Sequence, residues 1–312
     1  MSAPNSNFVR ACKSQPVERT PVWFMRQAGR YMPEYRAIRK EYSLLEICKN
    51  PKLAAQVTIE AAEILKVDAA IIFADLLLPL EVMGLPFHFA AGEGPVIEKP
   101  IRTQEDIEKL RTDRASELGY VSEAVSLVAK HFAGKIPVIG FCGAPFTLAS
   151  YMIEGAGSRH YLHAKKMMYN SPDAWDELMR KLVEVTTEYS AAQVRAGADV
   201  IQIFDSWVGA LSVEDYRRYV LPHVTTMVKR LQKTGARLIW ATTTPVPDAE
   251  VKPPRRNADV VAYNAAAAKI MAEAGIPIGT KFGELRPSWI AFTALPTECS
   301  LMVRPAGEKL MS

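Results

Sequence analysis

Five stretches of this chain are apolar almost throughout instead of alternating apolar with polar: Pro21–Met25, Ala69–Ala74, Pro137–Cys142, Asp199–Phe204 and Arg237–Ala241. Short runs of this kind, bounded by polar or turn residues, predict strands buried on both faces, as in a parallel sheet. Helical patterns separate them. Asn50-Pro51 predicts an N-cap followed by proline at the first helical position, with Leu53, Val57, Ile64 and Leu65 turned inward. Thr103 with Asp106 has the spacing of a capping box. Ser171-Pro172 opens the longest pattern, whose stripe of Trp175, Leu178, Leu182, Val185 and Tyr189 ends before Gly197. Ser212 starts another helix, with a kink expected near Pro222. The uncharged run Ile136–Ile153 is long enough for a membrane span, but Pro137, Gly140, Gly143 and Pro145 inside it predict a strand, a loop and a helix start.

Strand and helix in alternation give a parallel sheet with helices outside. Five strands before residue 242 suit a doubly wound sheet or most of a (β/α)8 barrel, and in both the chemistry gathers at the carboxyl ends of the strands. The side chains that fall there are the turn after Phe24, Asp75, the Gly143–Tyr151 segment and Asp205-Ser206.

The turn is distinctive. Met25–Arg39 reads MRQAGRYMPEYRAIR, four arginines (Arg26, Arg30, Arg36, Arg39) with Glu34 as the single acid among them. Gly29 lies between the first two, where the chain can turn sharply or let a ligand approach. Guanidinium forks match carboxylate geometry, so this stretch suits a carboxylate-rich ligand, although a solvated basic helix face has the same composition. The net charge of +4 and pI near 8.8 fit a local anion site. No basic cluster is interleaved with aromatics, which argues against a nucleic-acid partner. Cys12, Cys48, Cys142 and Cys299 form no CxxC pair and read as reduced thiols rather than a disulfide frame or zinc site. The amino terminus carries no signal-peptide core.

Four blocks, RQAGRYMPEYR, IIFADLLLP, GAPFTLASYMIEG and FDSWVGALS, resemble in this order the uroporphyrinogen decarboxylase family, over a span from about Asn7 to about Gly235. The resemblance implies a TIM barrel, a cytoplasmic homodimer and a cofactor-free reaction of haem biosynthesis. Uroporphyrinogen III would become coproporphyrinogen III as four acetates turn into methyls. It also implies a site. The substrate-binding arginine segment falls on Arg26, Gln27, Ala28, Gly29 and Arg30, the active-site aspartate on Asp75, and the pocket tyrosine and serine on Tyr151 and Ser206. Asp75, Arg26 and Arg30 would be the catalytic set. The family's late histidine has no counterpart, since His88, His131, His160, His163 and His223 all precede residue 224. Two alternatives stay open: a corrinoid-linked zinc methyltransferase on the same barrel, and an inactive porphyrin-binding remnant. Neither a nucleic acid nor a membrane is an expected partner.

Beyond Gly235 the family pattern stops. Residues of about 237–278 resemble a fragment of an SGNH-type esterase, with a strand at Leu238–Ala241, a basic, proline-rich loop at Pro253–Arg256, a helix at Asp259–Ala274, then Gly275 and an apolar Ile276–Ile278. No Gly-Asp-Ser nucleophile block accompanies it. Gly279–Ser312, with Trp289, Ile290, Phe292 and Leu295, follows neither helical nor strand periodicity. The expectation is a barrel portion at 1–235 and an atypical segment at 236–312, leaving the barrel incomplete or distorted in its C-terminal quarter. An open ladder edge and bare apolar surface would then lower stability.

Overall fold

The computed structural model describes residues 3, 5–13, 15–89, 94–233, 237–241, 256–273, 278–279 and 299–304. The strands are β1 (Ala70–Ile71), β2 (His88–Phe89), β3 (Pro95–Val96), β4 (Val138–Gly143), β5 (Val200–Asp205), β6 (Arg237–Ala241), β7 (Ile278–Gly279) and β8 (Cys299–Arg304). Six of them make one sheet in the order β1-β4-β5-β8-β6-β7, and β2 with β3 forms a separate small hairpin. β1, β4 and β5 run parallel, as do β6 and β7. β8 runs antiparallel to both of its neighbours. The architecture is therefore α/β of the TIM-barrel kind, distorted where β8 separates β5 from β6. The one sheet includes strands from both sides of residue 235, with β8 inserted between β5 and β6. Among the described residues no helix is long and apolar enough to cross a membrane.

The helices take up most of the predicted pattern. Asn50 Oδ1 accepts from the amides of Lys52 and Leu53 (3.1 and 3.2 Å), opening helix Pro51–Leu65. Thr103 and Asp106 complete the capping box. Helix Pro172–Arg195 buries Trp175, Leu178, Leu182, Val185 and Tyr189 in the core, the aliphatic side chains contributing roughly 1.5–3 kcal/mol each. A π-helical turn, Tyr216–Val220, precedes Pro222 and supplies the expected break, since proline cannot donate to the ladder before it. Gln193 clasps β4 by accepting from Phe141 N and donating to Phe141 O, both at 2.9 Å. A Cβ on Gly140 would meet Gln193 Oε1 at 2.5 Å and Ile201 Cδ1 at 2.8 Å, so this close approach requires glycine.

Three expectations need correction. Pro21–Met25 is not a strand, and Met25 already belongs to the turn that follows. Pro21 has no N–H, and the Asp68 carboxylate takes the Val22 amide at 2.7 Å, leaving one ladder-like bond, Asp68 N to Val22 O at 2.8 Å. Ile64 is 51% exposed, because the inward face of its helix is the small-residue set Ala54, Ala55, Ala61 and Ala62 with Val57 and Thr58. Within the tail that showed no periodicity, Cys299–Arg304 forms a six-residue strand, β8. The predicted Leu238–Ala241 strand and Asp259–Ala274 helix correspond to β6 and to helix Asn257–Glu273. Ile278 begins β7. Pro253–Arg255 of the basic loop, Gly275 and the Trp289–Leu295 stretch lie outside the described residues.

Candidate active site

The parallel strands β1, β4 and β5 end on one edge of the sheet. Ile71 pairs with Ile139, and Gly143 with Phe204. Asp75 follows the end of β1 by four residues, and Asp205 is the last residue of β5.

The arginine turn comes to this edge by an unusual attachment. Where a neighbouring strand would pair with β1, the buried Gln27 amide does so instead, its Nε2 donating to Ala69 O at 2.6 Å and its Oε1 accepting from Ile71 N at 3.3 Å. The Gln27 side chain is thus occupied structurally. Tyr31 folds back to donate its hydroxyl to Gln27 O. A Cβ on Gly29 would press on that ring at 3.0 Å, so the tight return needs glycine or a displaced tyrosine. Met32 N closes the turn on Gly29 O at 2.9 Å.

The four arginines separate into two pairs. Arg36 donates to Arg30 O and Tyr31 O at 2.8 and 3.0 Å, and Arg39 donates to Tyr42 O at 2.5 Å, so both secure the backbone of the turn and its helix, Pro33–Glu41. Arg26 and Arg30 are exposed and form no ion pair among the described residues. Arg26 lies close enough to Asp75 to act on its charge. Arg26 and Asp75 thus share one neighbourhood, and Arg30 follows four residues later on the same turn.

Asp75 Oδ1 accepts from Leu77 N at 2.8 Å. Burial pushes its carboxyl up to about 6, against the opposing pull of that amide and of Arg26. Its surface is nevertheless partly exposed. Protein surrounds it on most sides while part of its surface meets solvent, a setting in which a carboxylate can meet a ligand.

On the β4–β5 side, helix Pro145–Glu154 carries Tyr151, and Ser206 follows β5 on the turn to Trp207. Tyr151 packs edge-on to Trp207 with centroids 5.8 Å apart, and Tyr161 meets Trp207 from another direction at 5.9 Å. Tyr161 holds a left-handed backbone, φ 52°, which is rare for a bulky side chain and marks a constrained position. Beneath them Thr147 Oγ1 donates to Asp205 Oδ1 at 2.7 Å and accepts from Trp207 N at 3.3 Å. Burial also raises Asp205 to about 6. Sequence reasoning put Asp205 on this edge without a role and overlooked Thr147, Tyr161 and Trp207. The one available signal was that Thr147 and Trp207 lie inside the motifs that hold Tyr151 and Ser206.

Residues 3–247 match the uroporphyrinogen decarboxylase (URO-D) family. The chain is 77% identical over 232 residues to the uroporphyrinogen decarboxylase of Koribacter versatilis (strain Ellin345), covering 74% of this chain and 66% of that protein. It is 53% identical over 234 residues to that of Solibacter usitatus (strain Ellin6076), covering 75% and 68%. With that of Sorangium cellulosum (strain So ce56) the identity is 55% over 236 residues, covering 75% and 67%. The chain thus spans about two thirds of the length of the curated relatives it matches. Among solved structures, a methyltransferase from Methanosarcina mazei is similar with a TM-score of 0.56 at 18% sequence identity, covering 74% of this chain and 67% of that one. At that identity the likeness concerns the fold alone. The family match continues past Gly235, into the segment read above as esterase-like, and the esterase resemblance finds no support in these relatives.

Proposed function

Because this chain belongs to the uroporphyrinogen decarboxylase family, we propose that it converts uroporphyrinogen III to coproporphyrinogen III, removing four acetate carboxyls without a cofactor. The observation that carries this reading is the largely buried Asp75 with the exposed Arg26 close enough to act on its charge, on a turn that also carries the exposed Arg30. The substrate presents eight carboxylates around four pyrroles. Arg26 and Arg30 would grip carboxylates by charge-assisted, bidentate bonds. Backbone groups of Gln27, Ala28 and Gly29 line the same turn, and Tyr151 and Ser206 would donate hydrogen bonds to side-chain carboxylates from the β5 side.

Carbon dioxide leaves an acetate when the bond electrons have a sink. Protonating a pyrrole carbon makes the ring that sink, and the ring becomes cationic. The C–C bond then breaks, its electrons enter the ring, and CO2 departs. The methylene left behind takes up a proton, and the ring carbon returns the one it gained. Asp75, ionised for the most part at pH 7 with its value near 6, opposes the ring's positive charge where that charge exists only near the transition state. In this reading the enzyme is a cytoplasmic homodimer in haem biosynthesis, with its catalytic portion within 1–235 and an atypical segment at 236–312.

Anaerobic incubation of the purified chain with uroporphyrinogen III, followed by oxidation and chromatography of the porphyrins by carboxylate number, tests the proposal. Stepwise appearance of seven-, six-, five- and four-carboxylate species is expected. Binding of the porphyrin with no change in carboxylate number would leave the chain a binding protein and overturn the reading.

A further inference from the structure

We propose that Asp205, acting through Thr147, is the positioning residue that sets Tyr151 and Trp207 against the turn bearing Ser206. The proposal rests on the decarboxylase reading of this site and adds residues that the four-motif resemblance did not assign.

Helix Pro145–Glu154 begins after Ala144, whose methyl side chain caps nothing. The first amides of a helix have no partner within it, and this start is buried, so an acceptor must come from elsewhere. It comes from the neighbouring strand. The Thr147 hydroxyl donates to the Asp205 carboxylate at 2.7 Å, and the Thr147 backbone N–H lies close enough to favour its charged form. An anion at a helix N-terminus also meets the positive end of the helix dipole. Ala144 N donates to Phe204 O at 2.7 Å and fixes the two segments one residue before the clamp.

The same Thr147 oxygen accepts from Trp207 N at 3.3 Å. One hydroxyl therefore ties the end of β5, the start of the Tyr151 helix and the turn that carries Ser206. Thr147 and Tyr151 are four residues apart, stacked on one helix face. Tyr151 in turn rests edge-on to Trp207, whose other contact is the constrained Tyr161. If the clamp is lost, the Tyr151 hydroxyl and the Ser206 turn are no longer held at a fixed separation. Thr147 is fully buried and Asp205 is 7% exposed, so water cannot substitute readily for either partner.

The test uses the full chain and the variants Thr147→Val, Thr147→Ser and Asp205→Asn. Three quantities are measured: kcat and KM for uroporphyrinogen, near-ultraviolet circular dichroism, and the melting midpoint. Valine removes the hydroxyl and keeps the shape, while serine keeps the hydroxyl. Thr147→Val should lose on the order of 10- to 100-fold in kcat/KM, the scale of a misplaced positioning contact, with KM raised and the aromatic dichroism altered. Thr147→Ser should restore both, and Asp205→Asn should shift both in the direction of the valine variant. Wild-type KM and dichroism in Thr147→Val, or equal impairment in the serine variant, would overturn the proposal. Should the valine variant fail to fold, Asp205→Asn decides: unchanged KM and dichroism overturn it. Absence of turnover in the wild-type chain would refute the decarboxylase reading instead, and the dichroism of the three variants would still decide the clamp.

Discussion

Replacing Asp75 by asparagine separates what this side chain does for catalysis from what it does to the fold. Burial lifts its carboxyl from the ordinary 3.8 to about 6. The folded chain therefore holds this proton more tightly than the unfolded chain does. Stability falls as pH rises through the window from about 4 to about 6, and the loss is complete above it. At 1.36 kcal/mol per pH unit the loss is about 3 kcal/mol. Part of the Asp75 surface meets solvent, which screens the charge, so about 2 kcal/mol is the expected value and 3 the ceiling. Asparagine keeps an oxygen to accept the Leu77 amide but carries no charge to bury. Asp75→Asn should thus be more stable than the wild type by about 2 kcal/mol at pH 7.5, while the two converge near pH 4. Turnover should fall on the order of 10²–10³-fold, the scale of losing one preorganised electrostatic partner. Urea unfolding at both pH values, alongside porphyrin chromatography, measures the two effects. A variant less stable than wild type at pH 7.5, or a gain that persists at pH 4, would refute the argument that the carboxylate is a buried charge held at a cost. Near-full turnover would remove Asp75 from the mechanism.

The two arginine pairs should behave differently under substitution. Arg26→Gln and Arg30→Gln should each raise KM by about 10- to 100-fold, equivalent to one charged hydrogen-bonded contact of roughly 1.5–3 kcal/mol, with little change in urea midpoint. Arg36→Gln should instead lower the urea midpoint, since two carbonyl oxygens lose their donor, and kinetics with unfolding on the same preparations distinguishes the cases. Gln27→Leu should destabilise the chain by about 2–4 kcal/mol, because Ala69 O and Ile71 N lose their partners in a buried setting. Gly140→Ala should cost about 1–3 kcal/mol through overpacking against Gln193 and Ile201, read as a lower urea midpoint with unchanged slope.

Much of the scaffold was legible because its signals are local. β4, β5 and β6 are continuous apolar runs, and the long helix displays one stripe between a proline start and a glycine stop. Asn50 and Thr103 cap neighbours three residues away or nearer, a distance at which sequence spacing is geometry. What was hidden depends on remote partners. Asp68 captures the Val22 amide across 46 residues and so prevents the strand that the apolar run at Pro21 suggests. Asp205 caps a helix 58 residues earlier in the chain, and no spacing rule reaches that far. The six residues of β8 join the sheet between two strands whose central positions were set long before it. The candidate positions Arg26, Asp75, Tyr151 and Ser206 came from their motifs. Four arginines with one charge and one composition gave no hint that two secure carbonyls and two point to solvent.

The side-chain amide that joins Gln27 to β1 has a consequence for motion. A strand held by a ladder can detach only by breaking several backbone bonds in concert, whereas here two contacts from one residue hold the segment at that point. The arginine turn is in effect latched to the sheet rather than woven into it. An anionic guest gripped by Arg26 and Arg30 would press the latch shut, and the Ile71 amide, which exchanges with solvent only when the latch lifts, becomes a reporter of occupancy.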